Sequence, residues 1–145
     1  MQIKLKKLSQ KAKLPSYGSA DAAGADLCAC IDESMNILPG QTVMVGTGIA
    51  VAIPKGYAGL VYARSGMASK RDLAPANKVG VIDSDYRGEI IVALHNHGMV
   101  ARMIEPGERI AQLVIAPIIQ AEFEICKELD DTERAEGGFG STGTK

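Results

Sequence analysis

One carboxylate in this chain stands where a proton acceptor would be useful. In Gly80-Val81-Ile82-Asp83-Ser84-Asp85-Tyr86-Arg87-Gly88-Glu89 an apolar run leads straight into Asp83. That approach puts the carboxylate at the edge of a core, where it could take a proton from water as a general base. Tyr86, at the same polar tip, offers a ring that could lie against a sugar. With Glu89 to Leu94 returning, the segment reads as a β-hairpin, and a merely solvated turn is its plainer interpretation. A second candidate is the tail Arg134-Ala135-Glu136-Gly137-Gly138-Phe139-Gly140-Ser141-Thr142-Gly143. Glycine-rich backbone can turn successive N–H groups toward one anion, and Ser and Thr hydroxyls add donors. No Lys precedes Ser141 and no helix pattern follows, so this is not a Walker loop. A phosphate cradle and a frayed terminus both remain open, but a Phe between glycines has little use unless it stacks on something such as a nucleobase.

Three further segments carry polar groups in apolar surroundings. Ala63-Arg64-Ser65-Gly66 ends a strand pattern with a cation, a hydroxyl and a glycine. Alone it reads as a capped turn with Ser65 as N-cap, although Ser65 and nearby N–H groups could also meet a phosphate. In Gly107-Glu108-Arg109-Ile110-Ala111-Gln112-Leu113 strict alternation gives Gln112 the face of Ile110, an odd place for an amide without a partner. Ala22-Ala23-Gly24-Ala25-Asp26-Leu27 sets one acid among small residues and reads as a turn. His95 and His97, two apart, read as part of a polar hairpin tip rather than a metal pair.

The elements that must position these groups are short and extended. The apolar period is two almost everywhere. Strands are expected near Met1–Leu8, Gln41–Val45, Ile49–Ile53, Tyr57–Ala63, Glu89–Leu94, Val100–Ile104 and Ile110–Pro117, with a last strand-like run at Glu122–Cys126. Turn signals separate them at Leu38-Pro39-Gly40, Pro54-Lys55-Gly56, Asn96-His97-Gly98 and Glu105-Pro106-Gly107. Only Ser65–Arg71 suits a helical turn or two. The pattern predicts an all-β sandwich or barrel. Residues 1–133 form one β domain in this reading, with 134–145 as a mobile C-terminal segment.

Composition narrows the function classes. The 145 residues suffice for one domain with its own core. Lys plus Arg number 16 against 17 Asp plus Glu, a net charge of −1, so no global basic field exists to hold nucleic acid or a membrane surface. Three cysteines, Cys28, Cys30 and Cys126, do not suit a closed disulfide framework and point to a reducing, cytoplasmic setting. Cys28 and Cys30 read as small buried hydrophobes. Met1–Leu8 alternates like a strand rather than running apolar like a signal peptide. With no Trp, the core must be aliphatic.

Taken together and in order, AGADL, RSG, GVIDSDYRG, GERIAQL and GGFGSTG resemble the five motifs of the homotrimeric dUTPase family. The resemblance implies a jelly-roll-like β fold and three subunits with shared active sites. It implies hydrolysis of dUTP to dUMP and pyrophosphate by water attack on the α-phosphorus, with Mg²⁺ on the triphosphate, limiting uracil in DNA and supplying dUMP for thymidylate synthesis. By position, Asp83 resembles the general base and Tyr86 the ring that packs on deoxyribose and leaves no room for a 2′-hydroxyl. Asn77 and the backbone around Val81, Ile82 and Ile91 resemble the uracil-reading groups. Arg64, Ser65, Gly66 and Gln112 resemble phosphate contacts, and Asp26 an acid that reaches the metal through water. Arg134, Phe139, Gly140, Ser141 and Thr142 resemble the closing tail, with Phe139 over the uracil. A dCTP deaminase or bifunctional deaminase–dUTPase of the same fold, and a non-catalytic nucleotide-binding regulator, are the competing readings. The chain departs from the family in carrying Ala63 where many members have Pro, and Ala135 where many have Gly; Ala135 should stiffen the tail slightly.

Overall fold

The computed structural model describes residues 1–138. In chain order its elements are β1 (Lys4–Lys7), β2 (Ser16–Tyr17), β3 (Ala25–Cys28), β4 (Met35–Ile37), β5 (Thr42–Gly46), β6 (Ile49–Ala52), β7 (Tyr57–Tyr62), α1 (Ser65–Arg71), β8 (Leu73–Pro75), β9 (Gly80–Ile82), β10 (Ile91–Asn96), β11 (Arg102–Ile104) and β12 (Arg109–Pro117). The all-β architecture expected from the period-two pattern forms, and it is jelly-roll-like, as the family resemblance implies. A five-stranded sheet runs β2-β3-β12-β7-β9, a three-stranded sheet runs β5-β10-β8, and β1-β6 and β11-β4 form two-stranded ribbons.

The punctuation works as turn chemistry requires. Gly40, Gly56 and Gly107 all take positive φ, at 73°, 86° and 75°. Each is the third residue of a four-residue turn closed by a backbone bond: Gln41 to Leu38, Tyr57 to Pro54 and Glu108 to Glu105. That geometry is the type II turn, in which glycine alone takes the third place without strain.

The core between the sheets is aliphatic, as the absence of Trp requires. Leu27, Ile37, Val45, Ile49, Leu73, Leu94, Ile104 and Ile110 are all fully buried there. Two polar side chains, Thr47 and Asn96, are buried as deeply. Asn96 is 0 % exposed and donates through Nδ2 to the carbonyls of Ile37 and Val100 at 2.9 and 2.8 Å. Its Oδ1 accepts the Gly98 N–H at 2.9 Å, which shapes the turn after β10. Truncating Asn96 orphans three backbone groups, one of them, the Ile37 carbonyl, at a fully buried position. Asn96→Ala is therefore expected to cost about 2–3 kcal/mol, read as a lower urea midpoint at unchanged slope.

Several elements depart from the sequence pattern for identifiable reasons. The helix has the expected bounds, but Ser65 is its first helical residue and not its cap. Arg64 occupies the cap position in extended conformation and makes no capping bond, since a guanidinium has no acceptor for the first-turn N–H groups; it donates to Asp26 instead. The turn expected at Ala22–Leu27 ends at Gly24, and Asp26 lies inside β3. The returning strand begins at Ile91 rather than Glu89, because Ile90 is already bonded to Ile49 and Thr47. Glu122–Cys126 is not in a strand: it finds no partner among the described residues. The apolar residues of this arm are bare, with Ile119 95 %, Phe123 94 % and Ile125 100 % exposed. Among the described residues no helix is long and apolar enough to cross a membrane. Cys28 and Cys30 are half-buried, Cys126 is exposed, and none is disulfide-bonded. Burial pushes the Cys28 thiol above its ordinary range.

Candidate active site

The Asp83 segment is not a paired hairpin. β9 bonds to β7 in the five-stranded sheet, whereas β10 bonds to β5 and β8 in the three-stranded one. An apolar run, a polar tip and a second apolar run read the same whether or not the arms meet; here they splay apart. Between them lies a cavity of about 370 Å³, lined by Gly80, Val81, Ile82, Asp83, Tyr86 and Glu89 on the loop side. Ile90 to Ala93 form the facing wall, and Val61, Pro75, Asn77 and Met44 complete it. β9 is an edge strand among the described residues, where one row of its backbone N–H and C=O groups has no strand partner. A flat heterocycle with alternating donors and acceptors can pair with such an edge as an added strand would.

The side chains that the sequence singled out sit around this cavity. Ile82 is buried, and Asp83 directly after it is exposed. The Asp83 carbonyl accepts the Tyr86 N–H at 3.2 Å and closes the loop tip. Arg87 donates to the carbonyls of Ser84 and Tyr86 at 2.7 and 2.8 Å, which stiffens the tip further. The Tyr86 hydroxyl donates to the Glu89 carbonyl at 3.0 Å, so the ring lies along the loop. Asn77 is brought in by the turn after β8, and a Cβ placed on Gly80 would come within 3.4 Å of its Nδ2. Asn77, Val81, Ile82, Asp83, Tyr86 and Ile91 thus share one cavity.

The anion-binding candidates form a second group. Asp26, Gln112 and Tyr62 stand side by side in register across β3, β12 and β7. The neighbouring row, Ala25, Leu113 and Val61, faces the core. A register shift between Arg109 and Ala111 buries both Ile110 and Ala111, so Ile110 does not mark the face of Gln112. The amide has its partner all the same: Nε2 donates to the Ala63 carbonyl at 2.9 Å. That bond fixes the strand end just before Arg64. Asp26, only 9 % exposed, accepts from Arg64 Nε at 2.7 Å and from an Arg109 guanidinium nitrogen at 3.0 Å. Ser65 and Gly66 are exposed beside this pair of cations. Arg109 had no role in the sequence reading; the signal for it was a cation three positions before a buried acid's cross-strand neighbour, which only the register reveals.

Within one chain Asp26 stands well away from the strand that flanks the cavity. β3 and β9 are three strands apart in the same sheet, a separation of roughly 14 Å. Of the tail, Arg134 is described and exposed, and its Nε caps a turn by donating to the Gly137 carbonyl at 2.8 Å. Ala135 in that turn has φ 43°. An alanine there carries strain of about 1 kcal/mol that a glycine would not, so its stiffening is bought against local strain. Phe139, Gly140, Ser141 and Thr142 lie outside the described residues. His95 accepts or donates through Nδ1 to Thr42 Oγ1 at 2.8 Å and stacks edge-on with His97, away from both groups.

Among the described residues no three His, Cys, Asp or Glu side chains are arranged to hold a metal. The donor set suits a magnesium ion that arrives with phosphate and water oxygens of its own. Asp26 can accept a hydrogen bond from a coordinated water, but a direct bond would press a dication against Arg64 and Arg109.

The dUTPase family model matches residues 10–143. The chain belongs to the dUTPase family. The deoxyuridine 5'-triphosphate nucleotidohydrolase of Acinetobacter baumannii is 49% identical over 99% of this chain and 97% of its own length. That of Syntrophotalea carbinolica is 52% identical over 97% and 96%. Among solved structures, the dUTPase of Staphylococcus bacteriophage 80alpha with dUPNHPP superposes with a TM-score of 0.89 at 32% identity, covering 98% of both chains. A mutant dUTPase of phage phi11 of S. aureus, which coordinates a structural Mg(II) ion, superposes with a TM-score of 0.82 at 26% identity over 90% of this chain and 100% of the other.

Proposed function

We infer that this chain hydrolyses dUTP to dUMP and pyrophosphate, and that the splayed loop cavity is where it does so. The observation that carries the reading is the cavity of about 370 Å³ with Asp83, Tyr86 and Asn77 in its lining, in a chain of this family. The unpaired edge of β9 and the Asn77 amide hydrogen-bond the uracil. The Tyr86 ring packs on the deoxyribose. Asp83 takes a proton from a water as that water's oxygen bonds to the α-phosphorus and the bond to the pyrophosphate oxygen breaks. Magnesium, when bound, offsets charge on the phosphates. Arg64, Ser65, Gly66 and Gln112 supply donors for them, Asp26 orients a metal-bound water, and Arg134, Phe139, Gly140, Ser141 and Thr142 close over the substrate.

A homotrimer with shared sites is the assembly that fits these roles. Two observations support it. Asp26 and the cavity-flanking β9 stand three strands apart in one chain, so a neighbouring copy suits the task of bringing its Asp26 group to this cavity. The bare arm from Ile119 to Leu129 alternates apolar residues with Glu122, Glu124 and Glu128, while the opposite end of the chain carries Lys4, Lys6, Lys7, Lys11 and Lys13. An amphipathic arm with no partner among the described residues and a basic strand to receive it suit association between copies.

Pyrophosphate release from dUTP, dTTP, dCTP and UTP, with and without Mg²⁺, tests the assignment. Release from dUTP alone, requiring the metal, is expected. Ammonia release from dCTP would make the chain a deaminase, and tight dUTP binding without turnover would make it a regulator. Sugar choice has its own test. Tyr86→Ala should lower the ratio of kcat/KM for dUTP over UTP by about tenfold or more while leaving dUTP preferred over dCTP. A Tyr86 that only packs the loop would instead lose stability with the ratio intact.

A further inference from the structure

The loop that carries Asp83 and Tyr86 is clasped from behind by a turn that plays no part in the proposed chemistry. Gly46-Thr47-Gly48 joins β5 to β6, and Gly48 takes φ 68°. Its N–H donates to Glu89 Oε1 at 2.7 Å, a part-buried bond across 41 residues of sequence. One residue on, the buried Thr47 hydroxyl donates to the Ile90 carbonyl at 2.6 Å. Ile90 in turn donates its N–H to Ile49 at 2.9 Å. Glycine at position 46 is what admits the acid: a Cβ there would stand 2.6 Å from Glu89 Oε1. A carboxylate on the wall of a cavity meant for a triphosphate ester is electrostatically out of place. Its engagement with a backbone N–H turns it from the ligand and makes it a tether.

The tether acts at the residue that fixes Tyr86. The Glu89 carbonyl is the acceptor of the Tyr86 hydroxyl at 3.0 Å. Glu89 is therefore held through its side chain by the β5–β6 turn, and it holds Tyr86 through its main chain. We propose that Glu89 is a positioning residue for sugar discrimination, setting the ring of Tyr86 through the Gly46–Gly48 clasp. The proposal rests on Tyr86 being the ring that excludes a 2′-hydroxyl. A ring that drifts by about an ångström can cost up to roughly a hundredfold in rate, and it also opens the space it was filling.

The test compares dUTP and UTP turnover in four variants of the full chain, with melting temperature recorded for each. Glu89→Ala removes the acceptor and should lower the dUTP-to-UTP ratio of kcat/KM by about tenfold, mainly by improving relative use of UTP. Glu89→Gln keeps an Oε1 acceptor for the Gly48 N–H and should restore the ratio. Gly46→Ala displaces the side chain from the other partner and should reproduce the Glu89→Ala ratio. Tyr86→Ala is the reference. If Tyr86→Ala changes the ratio and Glu89→Ala does not, the clasp has no part in selectivity and the proposal falls, whatever happens to the melting temperature. If Glu89→Gln behaves like Glu89→Ala, the charge and not the hydrogen bond matters, and the clasp is again wrong. If Tyr86→Ala itself leaves the ratio unchanged, the fault lies in the underlying reading of Tyr86, and the proposal falls with it.

Discussion

Asp83→Asn should turn over dUTP about 10²–10⁴-fold more slowly than the unaltered chain while binding a non-hydrolysable analogue with similar affinity. The substitution keeps the shape of the side chain and removes its capacity to take a proton. It should also spare the fold. Asp83 is exposed, and its fold contribution is its main-chain carbonyl, which closes the loop by accepting the Tyr86 N–H at 3.2 Å. An amide leaves that bond untouched. The carboxylate itself makes no hydrogen bond among the described residues, so nothing is orphaned by its loss. Separating chemistry from binding requires single-turnover measurement alongside titration with the analogue. An Asn variant within a few-fold of the parent rate would show that water is activated elsewhere. Lost binding with normal chemistry per bound substrate would recast Asp83 as a contact for the nucleotide.

How much of this was legible in the sequence follows from the range of the forces involved. Turns were legible because glycine after proline or lysine encodes a local φ: Gly40, Gly56 and Gly107 needed no tertiary context. The helix at Ser65–Arg71 was legible for the same reason. The longer strands were legible from alternation, but β3 around Asp26 was not, the run at Glu122–Cys126 forms none, and strand partners were not legible at all. The two arms around Asp83 carry hairpin periodicity, and only the competing ladders with β7 and β5 pull them into different sheets. The cavity is the consequence of that separation, so its residues could be named from motifs while its shape could not. The Asp26 group was hidden in a different way. A lone acid among alanines gives no local signal, and the guanidinium groups that hold it come from 38 and 83 residues away. The Gly46–Gly48 clasp was invisible for a third reason. Glu89 reads as an ordinary solvent-facing strand residue until the β5–β6 turn is known to lie behind it.

Ending the chain after Glu133 should leave a folded oligomer with little dUTP hydrolysis. Residues 118–136 are exposed, and the short turn at 133–136 is held only by its own bonds: Ala135 to Thr132, Gly137 to Arg134, and Arg134 Nε to Gly137. None of these touches the core, so the melting temperature without ligand should scarcely change. The arm from Ile119 to Leu129 is retained in the truncated chain, so the apolar surface available for association between copies is retained too. What is lost is Arg134, Phe139, Ser141 and Thr142, the proposed closure over phosphates and base. Closure also excludes water from a site where a single water should react. Glu136 in the same segment repels a triphosphate, so the attraction must come from Arg134, backbone N–H groups and a metal already on the phosphates. Tryptic cleavage after Arg134 should therefore slow only when a non-hydrolysable dUTP analogue and Mg²⁺ are present together, since ordering a segment costs entropy that bound ligand must offset. Two measurements decide the matter: pyrophosphate release by the truncated protein, and the rate of tryptic cleavage of the full chain with each ligand alone and with both. Full activity after truncation would reduce the glycine-rich end to a frayed terminus. Loss of activity together with a large drop in melting temperature would mean that residues 134–145 hold the assembly together rather than close the site.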